Sequence, residues 1–341
     1  MKIVLITGIT GKIGANMALA LLKRGYCVRG LLMPEDPLAY KLDGLEVDRF
    51  EADLRDLDGV MRAAKGVDAV IHLAAAIQKY PGMTDRDYFE VNVTGTWDMV
   101  YAAREAAPNL ERFVYISTEG TYSRYQAQYL PVDEAHPQRP FSPYGMVKIL
   151  GEQTINHFYR QYDMPTTIAR IGSVQLGTQM LNGHTAREAI GILKWAAQHP
   201  RSNLYVDGVS APWKVIEEAV TDLDTLVIPR DPQGESWLYH PTDMRDTVEG
   251  VILALEKEAA IGETFNIFAA EATSWEAAAR YIQAKQGRPL VEVSVPNTWV
   301  FCCDISKARR VLGYNPQYDF RRMIDDAIAF ANGRDIGVIA G

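Results

Sequence analysis

The stretch KIVLITGITGKIGAN, residues 2–16, contains an apolar run, three glycines at spacings of three, and the start of a helical pattern. The apolar run does not alternate with polar residues, which predicts a strand buried on both faces. Gly8, Gly11 and Gly14 follow, and residues 15–24 have helical spacing. This order is typical of a dinucleotide-binding loop, in which N–H groups at the helix start hold a pyrophosphate. An ordinary strand-to-helix turn is the alternative.

The composition describes a globular chain and excludes several classes of function. Of its 341 residues, 48% are hydrophobic and 23% are charged, so a large domain with a smaller second one is expected. A net charge of −8 argues against nucleic-acid binding. We expect no signal peptide and no membrane anchor. Cys27, Cys302 and Cys303 lack metal-ligand spacing, which predicts reduced thiols in a cytoplasmic protein and no metal site.

Strand and helix patterns alternate up to about residue 171, which is typical of parallel βαβ units in a Rossmann-type, doubly wound α/β sheet. In such sheets the ligand lies beyond the carboxyl ends of the strands. The predicted strands are 2–6, 27–33, a part of 47–54, 68–76, 112–118 and 166–172, and long helices are expected at about 85–107 and 142–162.

The alternation stops after residue 175. We therefore assign residues 1–175 to a dinucleotide-binding domain and 176–341 mainly to a smaller, mixed substrate lobe, some of whose segments return to the first domain. The predicted elements of the second part are a strand at 263–268 and helices at 185–198, 242–258, 274–287, 304–313 and 320–333, with irregular chain around Pro212 and Pro229.

Tyr144 and Lys148 are four residues apart in the long helix 142–162, so both side chains leave the same face. A phenol is a poor base at neutral pH, and a nearby ammonium lowers its pKa toward the working range. Thr118 ends the predicted fifth strand, where its hydroxyl can reach a substrate oxygen. An exposed helix face is the alternative for an isolated Tyr-x-x-x-Lys pair, but this pair occurs together with the glycine loop.

With these motifs in order, the chain resembles the extended short-chain dehydrogenases/reductases of the NAD-dependent epimerase/dehydratase family. The resemblance covers most of the chain. It is carried by TGITGKIG (7–14), EADLRD (51–56), HLAA (72–75), VNVTGT (91–96), YISTEGTY (115–122), SPYGMVK (142–148), TDMRDTVEGVILAL (242–255) and DISKARRVLGYNP (304–316).

The resemblance implies an enzyme that moves a hydride to and from a nicotinamide dinucleotide. Tyr144 would remove the hydroxyl proton, Thr118 would bind the reacting oxygen, and Lys148 would lower the tyrosine pKa and hold the nicotinamide ribose. Asn92 would complete the catalytic set. The remaining cofactor-binding residues would be Gly8, Gly11, Lys12, Ile13, Gly14, Leu32, Asp53, Leu54, Leu73, Ala74 and Ala75.

The choice between NAD and NADP depends on the end of the second strand. Members that prefer NAD often have an acidic residue there, whereas members that prefer NADP have an arginine nearby. This chain has Leu32 and Met33, followed by Glu35 and Asp36, and no arginine. NAD is therefore preferred, and Lys12 in the glycine loop is the one argument for NADP.

Two departures from the family pattern concern the reaction and the substrate. Dehydratases and decarboxylases of the family have a carboxylate two positions after the catalytic Thr, where this chain has Gly120, and only Glu119 supplies an acid. Sugar-nucleotide enzymes usually place an arginine where this chain has Ser236, and residues 203–235 are atypical. Four residues could replace the missing charge, although surface positions are the commoner role for each: Arg187, Arg201, Lys214 and Arg230.

Aromatic and histidine residues of the second part are candidates for binding a sugar-like substrate. Aromatic faces suit sugar rings, although core packing is the commoner role. The aromatic candidates are Trp195, Tyr205, Trp213, Trp237 and Tyr239. His184 and His240 could bind polar substrate groups, although isolated histidines usually have structural roles.

Three functions remain open. An epimerase-type reaction on a sugar-like substrate, with transient oxidation of a secondary carbinol, is favoured. The second is net dehydrogenation or reduction of a non-nucleotide sugar, sugar acid or other hydroxy compound. The third is a regulator that only senses the dinucleotide, which ranks last because Tyr144, Lys148 and Thr118 are all present. The family resemblance also implies a homodimer that pairs helices 85–107 and 142–162.

Overall fold

In the computed structural model, which describes residues 2–340, strands and helices follow one another along the whole chain. The strands are β1 (Ile3–Thr7), β2 (Cys27–Leu32), β3 (Val47–Glu51), β4 (Ala69–His72), β5 (Arg112–Thr118), β6 (Thr166–Ile171), β7 (Ser173–Gln175), β8 (Leu226–Arg230), β9 (Leu238–Tyr239), β10 (Pro241–Asp243), β11 (Thr264–Ile267), β12 (Thr273–Ser274) and β13 (Leu290–Ser294).

Helices connect these strands and pack against them. They are α1 (Lys12–Lys23), α2 (Leu57–Ala64), α3 (Asp85–Phe89), α4 (Gly95–Ala106), α5 (Pro143–Tyr162), α6 (Gln179–Asn182), α7 (Ala186–Ala197), α8 (Lys214–Ala219), α9 (Met244–Glu256), α10 (Trp275–Gln286), α11 (Ser306–Leu312) and α12 (Phe320–Ala331). A π-helical segment, Glu90–Thr94, joins α3 to α4 and makes the predicted helix 85–107 continuous.

Seven strands form one parallel sheet in the order β3-β2-β1-β4-β5-β6-β11. The predicted Rossmann-type, doubly wound architecture is therefore confirmed. The chain runs outward in one direction from β1 to β3 and in the other from β4 to β6, so the order reverses between β1 and β4. A crevice forms at such a reversal beyond the carboxyl ends of the strands.

β4 is shorter than predicted. It ends at His72, whereas the sequence predicted a strand up to residue 76. Beyond it the backbone N–H of Ala74 donates to the Thr7 hydroxyl at 3.0 Å, outside the strand ladder. The chain thereby turns away from the sheet after His72. Residues 73–76 consequently face the crevice instead of extending the sheet.

The expectation of irregular chain around Pro229 is wrong, because this residue lies inside β8. β8 pairs with β13 in a separate two-stranded sheet, with Pro229 opposite Val293. A proline lacks the N–H that a ladder needs, and strands at a sheet edge tolerate it. Two short helices, α6 and α8, also lie in the part for which only α7 was predicted.

Later segments of the chain contribute to the large sheet and its cover. β11 is the edge strand beside β6, and α9 packs against α1, β5 and β6. The boundary placed at residue 175 coincides with the end of β7, which pairs with β10 from the second part. The division at this point stays a prediction, since neither part is shown to fold alone.

Helix α5 lies unusually close to β5, and glycines make this approach possible. A Cβ atom at Gly151 would lie 2.0 Å from the Tyr115 hydroxyl oxygen. A Cβ at Gly145 would lie 2.1 Å from the carbonyl oxygen of Gly120, just beyond the end of β5. Both distances are far inside van der Waals contact, so a larger residue at either position would push the helix away from the strand.

We predict that Gly151→Ala lowers the free energy of unfolding by at least about 1–3 kcal/mol, the usual cost of overpacking a core. Gly191→Ala is the matched control, because no atom lies within 4 Å of its added methyl group in α7. The control should gain about 0.4–1 kcal/mol through the unfolded state. Urea denaturation measures both, and equal stability of the two variants would contradict the prediction.

Candidate active site

The crevice between β1 and β4 is a groove of about 480 Å³. Twelve of the residues assigned from the sequence to the cofactor or to catalysis line it together. They are Gly8, Gly11, Lys12, Ile13, Gly14, Leu32, Asp53, Leu54, Leu73, Ala74, Ala75 and Tyr144. The structure therefore brings the glycine loop, the ends of β2 and β4, and the tyrosine of α5 to one place.

The glycine loop is packed so tightly that side chains are excluded from it. Gly8 has φ +66°, and a Cβ there would lie 2.9 Å from the backbone of Ala74. A Cβ at Gly14 would lie 2.2 Å from the Gly8 carbonyl oxygen. Gly11 caps α1, so the unpaired N–H groups of the helix start lie at the loop. This bare backbone fits the pyrophosphate of a dinucleotide.

A buried chain of hydrogen bonds holds the groove together, and no sequence pattern beyond the motifs themselves predicts it. The Thr7 hydroxyl oxygen accepts from Ala74 N–H at 3.0 Å, and the same hydroxyl shares a 2.8 Å hydrogen bond with Nδ1 of His72. The other ring nitrogen donates to the Thr96 hydroxyl, which donates in turn to the carbonyl of Asn92. Burial lowers the pKa of His72 to about 3, so the ring is neutral.

Asn92 has a positioning role in this structure. Its side-chain oxygen accepts from the N–H of Ala76 at 3.0 Å, and its amide group donates to the carbonyls of Ala76 and Tyr88. Both amide hydrogens are therefore used within the protein, and the residue is 2% exposed. Asn92 fixes the chain that follows β4 and does not line the groove, and its catalytic role stays a prediction.

Tyr144 and Lys148 lie one turn apart on α5, in surroundings that favour the neutral form of each. Burial raises the pKa of Tyr144 to about 12, and the nearby Tyr88 adds to this. Burial also lowers the pKa of Lys148 to about 7, with Glu152 opposing the change. The ammonium nitrogen lies 4.2 Å from the centre of the Tyr115 ring. Lys148 therefore does not lower the pKa of Tyr144 in this structure, contrary to the expectation from the sequence.

Thr118 is the last residue of β5 and is half-buried. Its hydroxyl oxygen accepts from Gly120 N–H at 3.1 Å, which fixes the side chain at the start of the following turn. Since the hydroxyl only accepts in this bond, its hydrogen can be donated to another oxygen.

A second cavity, of about 450 Å³, adjoins the groove, and Lys12 lines both. We call it the lobe cavity. Its charged and polar lining includes Lys12, Glu119, Arg124, Ser173, Gln175, Gln179, Asn182, His184, Glu188, Tyr239 and His240, and its aromatic lining includes Tyr125, Trp275, Trp299 and Phe301. This polar cavity, which meets the groove at Lys12, is the candidate substrate site.

Lys12 lines both the groove and the lobe cavity, and its ammonium group is already bonded within the protein. Its ammonium donates to the carbonyl of Val174 at 2.7 Å and to the side chain of Gln179 at 3.2 Å. Burial lowers the pKa of this lysine. The side chain therefore connects the glycine loop with β7 and α6, which weakens its value as an argument for NADP.

Several substrate candidates from the sequence lie in the lobe cavity, and others do not. His184 is buried, has φ +64°, and shares a 2.8 Å hydrogen bond with the Tyr239 hydroxyl. Both ring nitrogens of His240 are hydrogen-bonded within the protein. Nε2 is bonded to the Ala269 carbonyl, and Nδ1 accepts from Cys303 N–H. Trp213 does not line the cavity and precedes α8, so its proposed substrate contact is not supported.

The other positions discussed from the sequence have structural explanations. Gly120 does not line the cavity. A Cβ atom at this position would lie 3.4 Å from its nearest neighbour, which is ordinary van der Waals contact. Trp237 is fully buried among other tryptophans. The four candidates for the missing positive charge lie outside the cavity: Arg187, Arg201, Lys214 and Arg230.

Arg124 lines the lobe cavity and was not among the candidates predicted from the sequence. No sequence pattern indicates it, because the residue lies in an irregular segment between β5 and α5, where spacing carries no information on direction. The guanidinium bonds to the Tyr125 hydroxyl at 3.0 Å and to Glu119 at 3.4 Å. Glu119 itself is 8% exposed, and burial raises its pKa.

Residues 5–327 match the family model described as GDP-mannose 4,6 dehydratase. The chain belongs to this family. It is therefore an enzyme of the extended short-chain dehydrogenase/reductase type, as the motifs had indicated. Membership does not by itself assign the dehydratase reaction, because the position two residues after Thr118 is Gly120.

Full-length relatives and solved structures agree with this membership. An uncharacterized UDP-glucose epimerase of Bacillus subtilis is 26% identical over 96% of this chain and 97% of its own length. A UDP-glucose 4-epimerase of Rhizobium meliloti is 26% identical over 98% of both. A short-chain dehydrogenase/reductase superfamily protein of Agrobacterium tumefaciens, solved with bound NAD, has a TM-score of 0.80, 29% identity and 97% coverage of both chains.

Two further findings concern membranes and metals. Across residues 2–340, none of the helices combines the length and the apolar character needed to cross a membrane. In the same residues, no group of three or more His, Cys, Asp or Glu side chains is arranged to hold a metal ion.

We predict that His184→Asn removes an acid-dependent loss of stability. Burial lowers the pKa of His184 to about 3, below its value of about 6.5 in the unfolded chain, so only the unfolded state binds the proton between these pH values. Stability is therefore lost as the pH falls, by about 1.4 kcal/mol per pH unit for this group. Asn does not titrate and tolerates positive φ.

Urea denaturation at pH 7, 6 and 5 measures this difference. Between pH 7 and pH 5, the variant should gain about 2 kcal/mol relative to the wild type, which corresponds to one proton over 1.5 pH units below 6.5. Because all other titrating groups are common to both proteins, their contributions cancel. Parallel stability curves for the two proteins would contradict the prediction.

Proposed function

We propose that this protein is an NAD-dependent enzyme that inverts a secondary carbinol of a sugar-like substrate by transient oxidation and re-reduction. The observation that carries the proposal is the position of Tyr144, which lines the glycine groove beside the polar lobe cavity. The epimerase names of two full-length relatives support the reaction type. The bound NAD of the Agrobacterium tumefaciens protein supports the cofactor.

NAD, when bound, supplies a nicotinamide ring that takes a hydride from a carbinol and returns it. Gly8, Gly11 and Gly14 would hold its pyrophosphate on bare backbone, and Asp53 and Leu54 would lie at its adenine end. Leu32, Leu73, Ala74 and Ala75 would form the walls. These residues position the cofactor, and none of them exchanges a proton in the reaction.

Tyr144 takes the proton of the substrate hydroxyl and later returns it. Its pKa of about 12 in the isolated site keeps the phenol neutral, so the base is generated only when positive charge comes near. Lys148 contributes this charge when it is protonated, and the positive nicotinamide ring favours the phenolate further. Thr118 donates its free hydroxyl hydrogen to the reacting oxygen, which stabilises the negative charge that develops there.

Asp36 supports NAD over NADP. It lines the groove beyond β2, and its carboxylate accepts from the Thr10 hydroxyl at 2.6 Å and from Leu38 N–H. A fixed carboxylate there suits a ribose hydroxyl and repels a 2′-phosphate. No arginine lines the groove among the described residues, and the ammonium group of Lys12 is already bonded to the carbonyl of Val174.

Net oxidation or reduction of a sugar, sugar acid or other hydroxy compound is the second candidate. Ser236 occupies the position where sugar-nucleotide enzymes usually have an arginine, and it lies outside the lobe cavity. An enzyme of this kind would exchange its cofactor in every cycle, whereas an epimerase keeps it. The identity and amount of retained dinucleotide therefore separate the two candidates.

We predict that denaturing the freshly purified protein releases NAD at close to one molecule per chain, as identified by mass spectrometry. Retained NAD is expected because an epimerase returns the hydride to the same substrate. An empty protein would favour the net oxidoreductase instead. Release of NADP would contradict the argument from Asp36.

We predict that Tyr144→Phe lowers turnover by about 10²–10⁴-fold, the usual contribution of a general base, with little change in stability. Turnover is measured with the substrate that the wild type converts fastest in a screen of free sugars, sugar acids and UDP-sugars. Tyr159→Phe is the control, because Tyr159 is on the same helix and outside both cavities. Turnover of Tyr144→Phe equal to that of the control would remove Tyr144 from the mechanism.

The assembly and the compartment are also proposed. We propose a homodimer formed through the outer faces of α3, α4 and α5, where Phe89, Trp97, Met146 and Leu150 are exposed. The three cysteines are free thiols, which suits a reducing compartment such as the cytoplasm.

A further inference from the structure

The lobe cavity contains a positively charged group that the proposed mechanism does not use, the guanidinium of Arg124. Its side chain is 41% exposed, although the residue lines a concave site. Among the described residues, its hydrogen bonds use one N–H toward Tyr125 and one toward Glu119. A guanidinium has five N–H donors, so three are available to a ligand.

The surroundings hold the guanidinium in place without neutralising it. Its central carbon lies 4.8 Å from the centre of the Tyr125 ring and 5.8 Å from that of Trp299. The Trp299 N–H also donates to the backbone carbonyl of Arg124 at 3.3 Å. Aromatic faces stabilise a cation and fix the plane of its donors, but they do not compete for its hydrogen bonds.

Glu119 is a weak partner for this cation. Its oxygen lies 3.4 Å from the nearest guanidinium nitrogen, which is longer than an ordinary charge-assisted hydrogen bond. Burial raises the pKa of Glu119, so its negative charge is disfavoured. An anion that entered the cavity could therefore bind Arg124 in place of this carboxyl group.

The position of the pair relates it to the reacting carbinol. Glu119 directly follows Thr118 in the chain, so the Glu119–Arg124 pair begins one residue after the proposed catalytic hydroxyl. Lys12 lines both the cavity and the groove. Glu188 is the fourth charged residue of the lining, and because it is exposed its charge is better solvated than that of the buried Glu119.

We infer that Arg124 binds an anionic group of the substrate, so that the enzyme acts on a sugar with a carboxylate or a phosphate in preference to a neutral sugar. This inference rests on the proposed function and names the substrate class of the same site. Planar, paired donors match the oxygens of a carboxylate or a phosphate in two-point contacts. The anion comes from a sugar acid or from a phosphorylated or nucleotide-linked sugar.

The test measures binding to the NAD-containing protein by calorimetry, independently of turnover. The probes are D-glucose, D-glucuronate, glucose 1-phosphate and UDP-glucose, together with the same four compounds of the galactose series. We expect at least one anionic member to bind at least tenfold more tightly than the neutral sugar of its series. A preference for the uronate identifies the carboxylate as the anion, whereas a preference for the phosphate compounds identifies the phosphate.

Two variants and a control connect this preference to the residue. Arg124→Gln should weaken binding of the preferred anion at least tenfold and leave binding of the neutral sugar unchanged. Arg124→Lys keeps the charge but loses the two-point geometry, so it should restore only part of the affinity. Arg187→Gln is the control, because this arginine pairs with Asp224 at the surface and lies outside the cavity. Thermal denaturation checks that all variants are folded.

Three results would overturn the inference. They are equal binding of neutral and anionic sugars, an Arg124→Gln variant that binds the anion as well as the wild type, and binding of none of the eight compounds by the NAD-containing protein. None of these affects the proposed function if the protein retains NAD and loses turnover in Tyr144→Phe. Conversely, the proposed function would be rejected if the purified protein contained no NAD and if Tyr144→Phe left turnover unchanged. This holds whatever the preference of the protein for anions.

Discussion

The close contact between α5 and β5 is the constraint on which the site depends. It exists because Gly145 and Gly151 have no side chains at the points where the helix meets the Gly120 carbonyl and the Tyr115 hydroxyl. Tyr144 and Lys148 project from this helix, and Thr118 ends the strand. The distance between Tyr144 and Thr118 is therefore set by the close packing of helix and strand backbone.

A buried ion pair continues this contact deeper into the protein. Glu152 of α5 accepts two hydrogen bonds from Arg170 of β6, at 2.9 and 2.6 Å, and further bonds from Ser117 and Gln138. Arg170 also donates to the Tyr122 hydroxyl, which donates to Asn266 of β11. Removing one partner of such a pair usually costs about 3–5 kcal/mol, because the other charge stays buried. The pair thereby fixes the helix against three strands.

Around this frame, the groove and the lobe cavity have different electrostatic character. The groove is held by neutral groups such as His72, and burial favours the uncharged forms of both Tyr144 and Lys148. A positive cofactor ring would therefore have a large effect on Tyr144, because burial and the nearby Tyr88 both disfavour the phenolate in its absence. The lobe cavity, by contrast, contains charged residues whose partners are few or distant, as at Arg124. The neutral surroundings of the groove suit a reaction that is shared by the whole family. The charged lining of the lobe cavity suits the selection of one substrate.

The sequence alone determined the sheet, the glycine loop and the Tyr–Lys helix, because these depend on local patterns. A buried parallel strand reads as a continuous apolar run, and residues four apart on a helix must share a face. The seven strands of the large sheet were accordingly found within a few residues of their ends, and the residues of the groove were assigned by motif. Pro229 was misjudged because its tolerance in β8 depends on having a strand on one side only, which is a tertiary fact.

Only the tertiary structure decided which residues face the substrate. Lys12 and Arg124 are 112 positions apart and line one cavity, and no spacing rule connects them. His240 and Trp213 looked suitable by type, but backbone partners occupy the first and the second lies outside. Irregular segments have no period from which a direction can be inferred, so their side chains take the direction that packing imposes. The candidate substrate cavity combines such segments with helices and strands from distant parts of the chain, and for this reason the sequence predicted the cofactor groove but not the substrate.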